Sequence, residues 1–122
     1  MRKTPSMTTY SPGEVLLAVI AFSGGLGRKQ RPVIVVSKDD FNRAGTKLIV
    51  ATITGTIAPP FRVGEVLISE WKKSGLVKPS AMRGALVTID KRDILRSMGQ
   101  LAESDFANVE AAIAPIFGFS PN

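Results

Sequence analysis

The stretch EVLLAVIAFSGGLGRKQRPVIVVS, residues 14–37, decides the fold class. It holds two apolar runs, Glu14–Phe22 and Val33–Ser37, both rich in Val, Ile and Leu. Runs this short, bounded by turn residues, read as buried strands rather than helices. Between them, Ser23–Gln30 carries three glycines and two cations, the composition of a loop joining two strands. Arg31-Pro32 opens the second strand, where the missing N–H of a proline costs no ladder bond.

Working downstream, Asp39-Asp40-Phe41-Asn42 reads as a short helical turn. A third strand runs from Lys47 to Thr54 and is broken by Gly55–Pro60. A fourth is expected over Phe61–Ser69, bent at Gly64, and a fifth over Ser80–Ile89. Glu70–Pro79 between them is a loop with one helical turn at most. Asp90–Ser97 is expected as a short helix, and Gly99–Leu101 as a last short strand. A terminal helix follows, with Ser104 as N-cap and Asp105 in the first turn. Phe106, Val109, Ile113 and Ile116 form one apolar stripe, Pro115 ends the helix, and Gly118 suits the position after it. Upstream, residues 1–12 are polar and aperiodic and read as a frayed arm, with Pro12-Gly13 as a turn. The expected architecture is therefore mainly β: a small antiparallel barrel with a C-terminal helix, one domain over residues 13–122.

Composition narrows the chemistry. Hydrophobic residues are 44% and charged residues 21% of the 122-residue chain, a globular balance that excludes the disordered class. Cysteine and histidine are both absent. That excludes disulfides, thiolate nucleophiles, Ser-His-Asp arrangements and the commonest zinc ligands, so no cofactor is expected. Net charge is +6, and it is unevenly placed: residues 103–122 hold three acids and no base, leaving sixteen cations against seven acids in residues 1–102. A basic body suits an anionic partner, either nucleic acid or an acidic polypeptide. The longest apolar run, Val15–Phe22, is too short to span a bilayer. Arg2 and Lys3 ahead of it and Ala21-Phe22-Ser23 after it have the outline of an export signal. Glu14 abutting the run and the prolines at 5 and 12 oppose that reading, and a cytoplasmic protein is expected.

Several phrases, in their order and spacing, resemble the MazF/PemK (Kid) toxins of type II toxin–antitoxin systems. They are Gly13-Glu14-Val15; the glycines at 24, 25 and 27 leading to Arg31-Pro32-Val33-Ile34-Val35-Val36-Ser37; Asp40-Phe41-Asn42; and Val50-Ala51-Thr52-Ile53-Thr54. Further on stand Gly75-Leu76-Val77-Lys78-Pro79-Ser80, Thr88-Ile89-Asp90-Lys91 and Gly99-Gln100-Leu101. The resemblance covers residues 13–117. It implies an SH3-like barrel, shared with the gyrase poison CcdB and usually a homodimer. It also implies metal-independent, sequence-specific cleavage of single-stranded RNA, and inhibition by an acidic antitoxin segment.

On that resemblance, Arg31 matches the Arg before Pro that serves catalysis, and Thr54 matches the Thr that orients phosphate, with Thr56 as a substitute. An arginine suits the task, since its fixed charge and forked donors match phosphate oxygens. Ser80 and Arg83 fall where the family lines its RNA groove, and Lys78 precedes them. Arg28 and Lys29 in the first loop are expected to hold RNA backbone or antitoxin. Read without the resemblance, these side chains are a solvated strand surface. Trp71 and Phe61 offer stacking faces, against core packing as the plainer role. One departure stands out: some members carry an Asp two residues after the groove Arg, as general base, and here that position is Ala85. Glu14, Asp39, Asp40 and Asp90 are the carboxylates that sequence offers instead. A barrel without catalysis, binding an antitoxin peptide or a topoisomerase, is the alternative; an adaptor for Pro-rich peptides would need more aromatics.

Overall fold

The computed structural model describes residues 9–21 and 27–119. Six strands form one antiparallel sheet: β1 (Glu14–Ala21), β2 (Arg28–Val35), β3 (Lys47–Thr54), β4 (Val66–Ile68), β5 (Ser80–Asp90) and β6 (Ile94–Gln100). Their order is β4-β5-β3-β2-β1-β6. Helix α1 (Asp39–Ala44) joins β2 to β3, and helix α2 (Glu103–Ile113) follows β6.

The unbroken apolar character of β1, β2 and β3 has a structural cause, for both faces of the sheet are covered. One core gathers Val15, Ile34, Ala51, Ile53, Ile68 and Met82 from five strands, with Leu101 and Val109 of α2 and its approach. A second, on the other face, gathers Leu16, Ala18, Ile20, Val33, Val35, Leu48, Val50 and Ile89. Strands buried on both faces lose polar alternation. The two sheet edges meet through the loop after β4. Gly75 backs onto the Met98 carbonyl of β6 so closely that a Cβ would collide with it, and its φ of +89° is one that glycine tolerates. Gly99 presses likewise on the backbone of Ser74. The sheet is thereby closed into the expected small barrel.

Four expectations need correction. β2 begins at Arg28, not Val33, so Arg31 lies inside a strand, paired with Ala18, rather than at its mouth. Polar side chains hid this half of the strand, Arg28–Pro32, which β1 holds through five pairs. Pro32 fits there because the β3 ladder reaches β2 only from Val33 onward. β4 is three residues long, because Arg62–Glu65 forms a tight turn, with Glu65 N–H donating to Arg62 O at 3.0 Å. Asp90–Ser97 is not a helix: a single 3-10 turn (Lys91–Asp93) leads into β6. α2 starts one residue before Ser104, with Ala102 at its cap position and no capping side chain.

The other elements match expectation, including Gly118, whose φ of +78° ends the chain's final 3-10 turn (Ala114–Ile116). Phe106, Val109 and Ile113 pack on the first core, while Ile116 is more exposed. The expected frayed arm is anchored from Tyr10 onward: its carbonyl accepts from Asn42 Nδ2 at 2.8 Å, and Gln100 Nε2 donates to Pro12 O at 3.1 Å. Residues 1–8 lie outside the described residues, as does most of the glycine loop.

Candidate nucleic-acid cleft

A cleft of ≈ 530 Å³ opens beside the end of β3. Its walls come from Thr54 and Thr56, from the Ala58–Arg62 segment with Glu65, and from Ala81, Met82 and Arg83 of β5. The local sequence explains each wall. β3 and β5 pair as Thr54↔Ala81 and Ile53↔Met82, but Ala51 pairs with Leu86. Arg83, Gly84 and Ala85 therefore stand opposite Thr52 alone, a bulge that throws all three outward. Thr52 Oγ1 holds the bulge by donating to Ala85 O at 3.3 Å.

The Arg62–Glu65 turn is clasped to that bulge by two glycines meeting backbone to backbone. A Cβ on Gly64 would lie 2.8 Å from Gly84 Cα, and one on Gly84 would lie 3.0 Å from Val63 O. Glu65 Oε1 accepts from Arg62 N at 2.9 Å and closes the turn. Arg62 and Glu65 from the turn and Arg83 from the bulge thus line one cleft.

The residues singled out by sequence divide into three sets. Thr54, Thr56 and Arg83 line the cleft together. The Thr54 hydroxyl accepts from Thr56 N at 3.0 Å, which fixes the start of the loop. Lys78 joins them from beside: its chain lies across Gly55, where a Cβ would sit 2.7 Å from the ammonium nitrogen. Arg31 does not line the cleft wall, but lies at its β2 side. It stands on β2, the strand beside β3, two residues before Val33, where the β2–β3 ladder begins opposite Thr52. Arg31 Nη1 donates to Gln30 O at 2.9 Å.

Ser80 is buried, and its hydroxyl donates to Lys78 O at 2.8 Å, so it shapes the turn that presents Lys78. Lys29 is exposed on β2, paired with Ile20. Arg28 belongs elsewhere: it pairs with Asp93 at 2.9 Å in a second cleft with Lys47, Asp90 and Arg92. There the Arg92 N–H above all, with the Lys47 hydrogen bond and the charges of Arg92 and Lys47 added, holds the Asp90 carboxyl below the usual carboxylate range, against the opposing effect of desolvation.

None of the carboxylates that the sequence suggested lines the first cleft. Glu14 accepts from Ser97 Oγ at 2.6 Å, Asp40 pairs with Arg43 at 3.1 Å, and Asp90 pairs with Lys47 at 3.2 Å. Asp39 lies on α1. Sequence reading missed Arg62 and Glu65. The signal for them was Gly64 alone, read only as a bend in a strand. Phe61, half exposed, reaches the cleft, whereas Trp71 packs on the first core.

Among the described residues no helix is long and apolar enough to cross a membrane. No curated protein matches the chain. The chain is similar to the Mycobacterium tuberculosis toxin MazF-mt6 at 25% identity and a TM-score of 0.71, over 88% of this chain and 98% of that one. At 17% identity and a TM-score of 0.71 it shares the fold of an endoribonuclease solved in complex with its cognate antitoxin from a mycobacterial species, over 89% of this chain and 95% of that one. MazE-MazF from Deinococcus radiodurans shares the fold at 14% identity and a TM-score of 0.72, over 93% of this chain and all of that one (100%). Residues 11–117 match the family described as PemK-like, MazF-like toxin of type II toxin-antitoxin systems, and the chain belongs to that family.

Proposed function

We propose that this protein is the toxin of a toxin–antitoxin module, a metal-independent, sequence-specific endoribonuclease acting on single-stranded RNA in the cytoplasm. The observation that supports this reading is a cleft at the end of β3 that Thr54, Thr56, Arg62 and Arg83 line together, with Arg31 on the neighbouring strand β2. Cleavage of this kind uses the substrate's own 2′-hydroxyl. Its oxygen bonds to the adjacent phosphorus, the bond to the 5′-oxygen breaks, and the products are a 2′,3′-cyclic phosphate and a 5′-hydroxyl. The pentacovalent phosphorane gathers negative charge, and fixed guanidinium groups stabilise that charge without imidazole. Arg31 serves this role, with Thr54 and Thr56 orienting the phosphate. Arg83, Lys78 and Lys29 hold the flanking backbone, while Ser80 acts indirectly by setting Lys78. Arg28, engaged with Asp93, contributes least.

The same cationic surface suits an acidic antitoxin segment, and a homodimer is the assembly we assign. Structures similar in fold include an endoribonuclease with its antitoxin and a MazE-MazF complex. Purified protein incubated with a long single-stranded RNA in EDTA is expected to give discrete fragments with 5′-hydroxyl ends. Arg31→Ala is expected to abolish them while the circular dichroism spectrum stays native. An intact substrate with the unmutated protein would favour the alternative, a barrel that only binds. Full activity in the Arg31 variant would remove the role given to that residue.

A further inference from the structure

We propose that Glu65 is the general base that takes the 2′-hydroxyl proton, a role resting on the nuclease reading above. The reaction needs a proton acceptor next to the phosphate, and the chain has no histidine to supply one. Glu65 is the sole carboxylate among the residues lining the cleft that holds Thr54 and Arg83. No other described acid lines that cleft, Asp39 on α1 and Glu70 after β4 included. Glu14, Asp40, Asp90 and Asp93 hold partners outside the cleft, and Asp105 is buried under the backbone N–H groups of Ser69 and Glu70. Glu103 and Glu110 lie on α2.

Glu65 is also held firmly. Its Oε1 accepts from Arg62 N, and the Gly64–Gly84 contact locks its turn to the β5 bulge one residue from Ala85. The charged residues that line the cleft with it are Arg62 from its own turn and Arg83 from β5. Arg62 and Arg83 are the cleft's cations for the phosphate whose neighbouring hydroxyl Glu65 deprotonates. The proton passes from the 2′-oxygen to Glu65 as the new oxygen–phosphorus bond forms. The departing 5′-oxygen takes a proton from water, and Glu65 returns its own to the hydroxide left behind.

Glu65→Gln tests this, because the amide oxygen can still accept from Arg62 N and keep the turn. On a long single-stranded RNA in EDTA, initial cleavage by Glu65→Gln should fall on the order of 100-fold or more, the usual loss for a general base. Affinity for 2′-O-methyl RNA, which lacks the nucleophile, should stay within about threefold in the same variant, since phosphate contacts are unchanged. Glu65→Ala should be equally slow and regain part of its rate on addition of formate, a small carboxylate that a purely structural role would not answer to. Cleavage by Glu65→Gln within about threefold of the unmutated rate overturns the proposal, whether at the same or at altered sequences. So does a rate loss matched by lost affinity, or the absence of any formate rescue. Failure of the unmutated protein to cut RNA is a separate result; it removes the nuclease reading and this role with it.

Discussion

Asn42 is fully buried on a helix of only six residues, and its amide ties three segments together. Nδ2 donates to Tyr10 O and to Ser37 O at 2.8 and 2.9 Å, while Oδ1 accepts from the Ser37 hydroxyl. That hydroxyl in turn accepts from Ile49 N at 3.0 Å. The chain before β1, the end of β2 and the start of β3 therefore share one side chain. Removing it leaves the Tyr10 and Ser37 carbonyls without their donor, at a cost of about 2–3 kcal/mol. Asn42→Ala should lower the urea midpoint accordingly with little change in slope. Asn42→Asp should cost more, since a carboxylate cannot donate to either carbonyl. An alanine variant within about 0.5 kcal/mol of the parent, the range of ordinary surface changes, would show that the amide carries no such load. Sequence reading saw Asp40-Phe41-Asn42 as a phrase in a helical turn, and the turn is there. The burial of Asn42 was not legible, because its partners lie 5 and 32 residues away.

At the scale of elements, the cleft depends on a short turn resting on a bulge. Gly64 has a φ of +92°, where a side chain is strained by itself, and its Cα faces the backbone of Gly84. Gly64→Ala should therefore lose about 2 kcal/mol from backbone strain, before any overlap is counted. It should also push Arg62 and Glu65 away from Arg83. RNA cleavage measured well below the melting temperature should fall more than tenfold, because misplacement of about 1 Å can cost 100-fold. Unchanged cleavage in a destabilised variant would separate the turn from the site. This part of the site was hidden in the sequence for a physical reason: residues 62–65 and 83–85 meet only when the barrel closes, and no local pattern announces that contact. β1 and β3 were legible because burial on both faces writes itself as an apolar run. β2's first half (Arg28–Pro32) and β6 (ILRSMGQ) were not, for each is edge-like over part of its length and carries polar side chains. Asp90, at the start of the stretch expected as a short helix, caps a turn by accepting from Arg92 N at 3.0 Å, but a strand follows that turn instead of a helix. Its capping chemistry was readable and the length of what it caps was not.

At the scale of the molecule, charge is segregated along the chain and the fold keeps it so. Of the three acids after residue 102, Asp105 is buried as a tie to the loop after β4, leaving Glu103 and Glu110 exposed on α2. Arg62 and Arg83 line the cleft from two segments, Lys78 lies beside it across Gly55, and Arg31 stands on the neighbouring strand β2. A strand of RNA laid across that mouth would meet three or four cations, each releasing counterions from a phosphate. For single strands each such contact contributes about −0.7 to the slope of log affinity against log salt, so a slope between about −2 and −3 is expected. Fluorescence anisotropy with labelled 2′-O-methyl RNA from low to moderate salt measures it without cleavage. Arg83→Gln should make the slope shallower by about 0.7 and weaken binding to unrelated sequences alike, as loss of a phosphate contact does. Arg28→Gln should leave the slope as it is, because Arg28 is spent on Asp93 at another face. If the slope instead follows Arg28 and ignores Arg83, RNA runs over the second cleft, and the cationic mouth beside Thr54 is not where the phosphates lie.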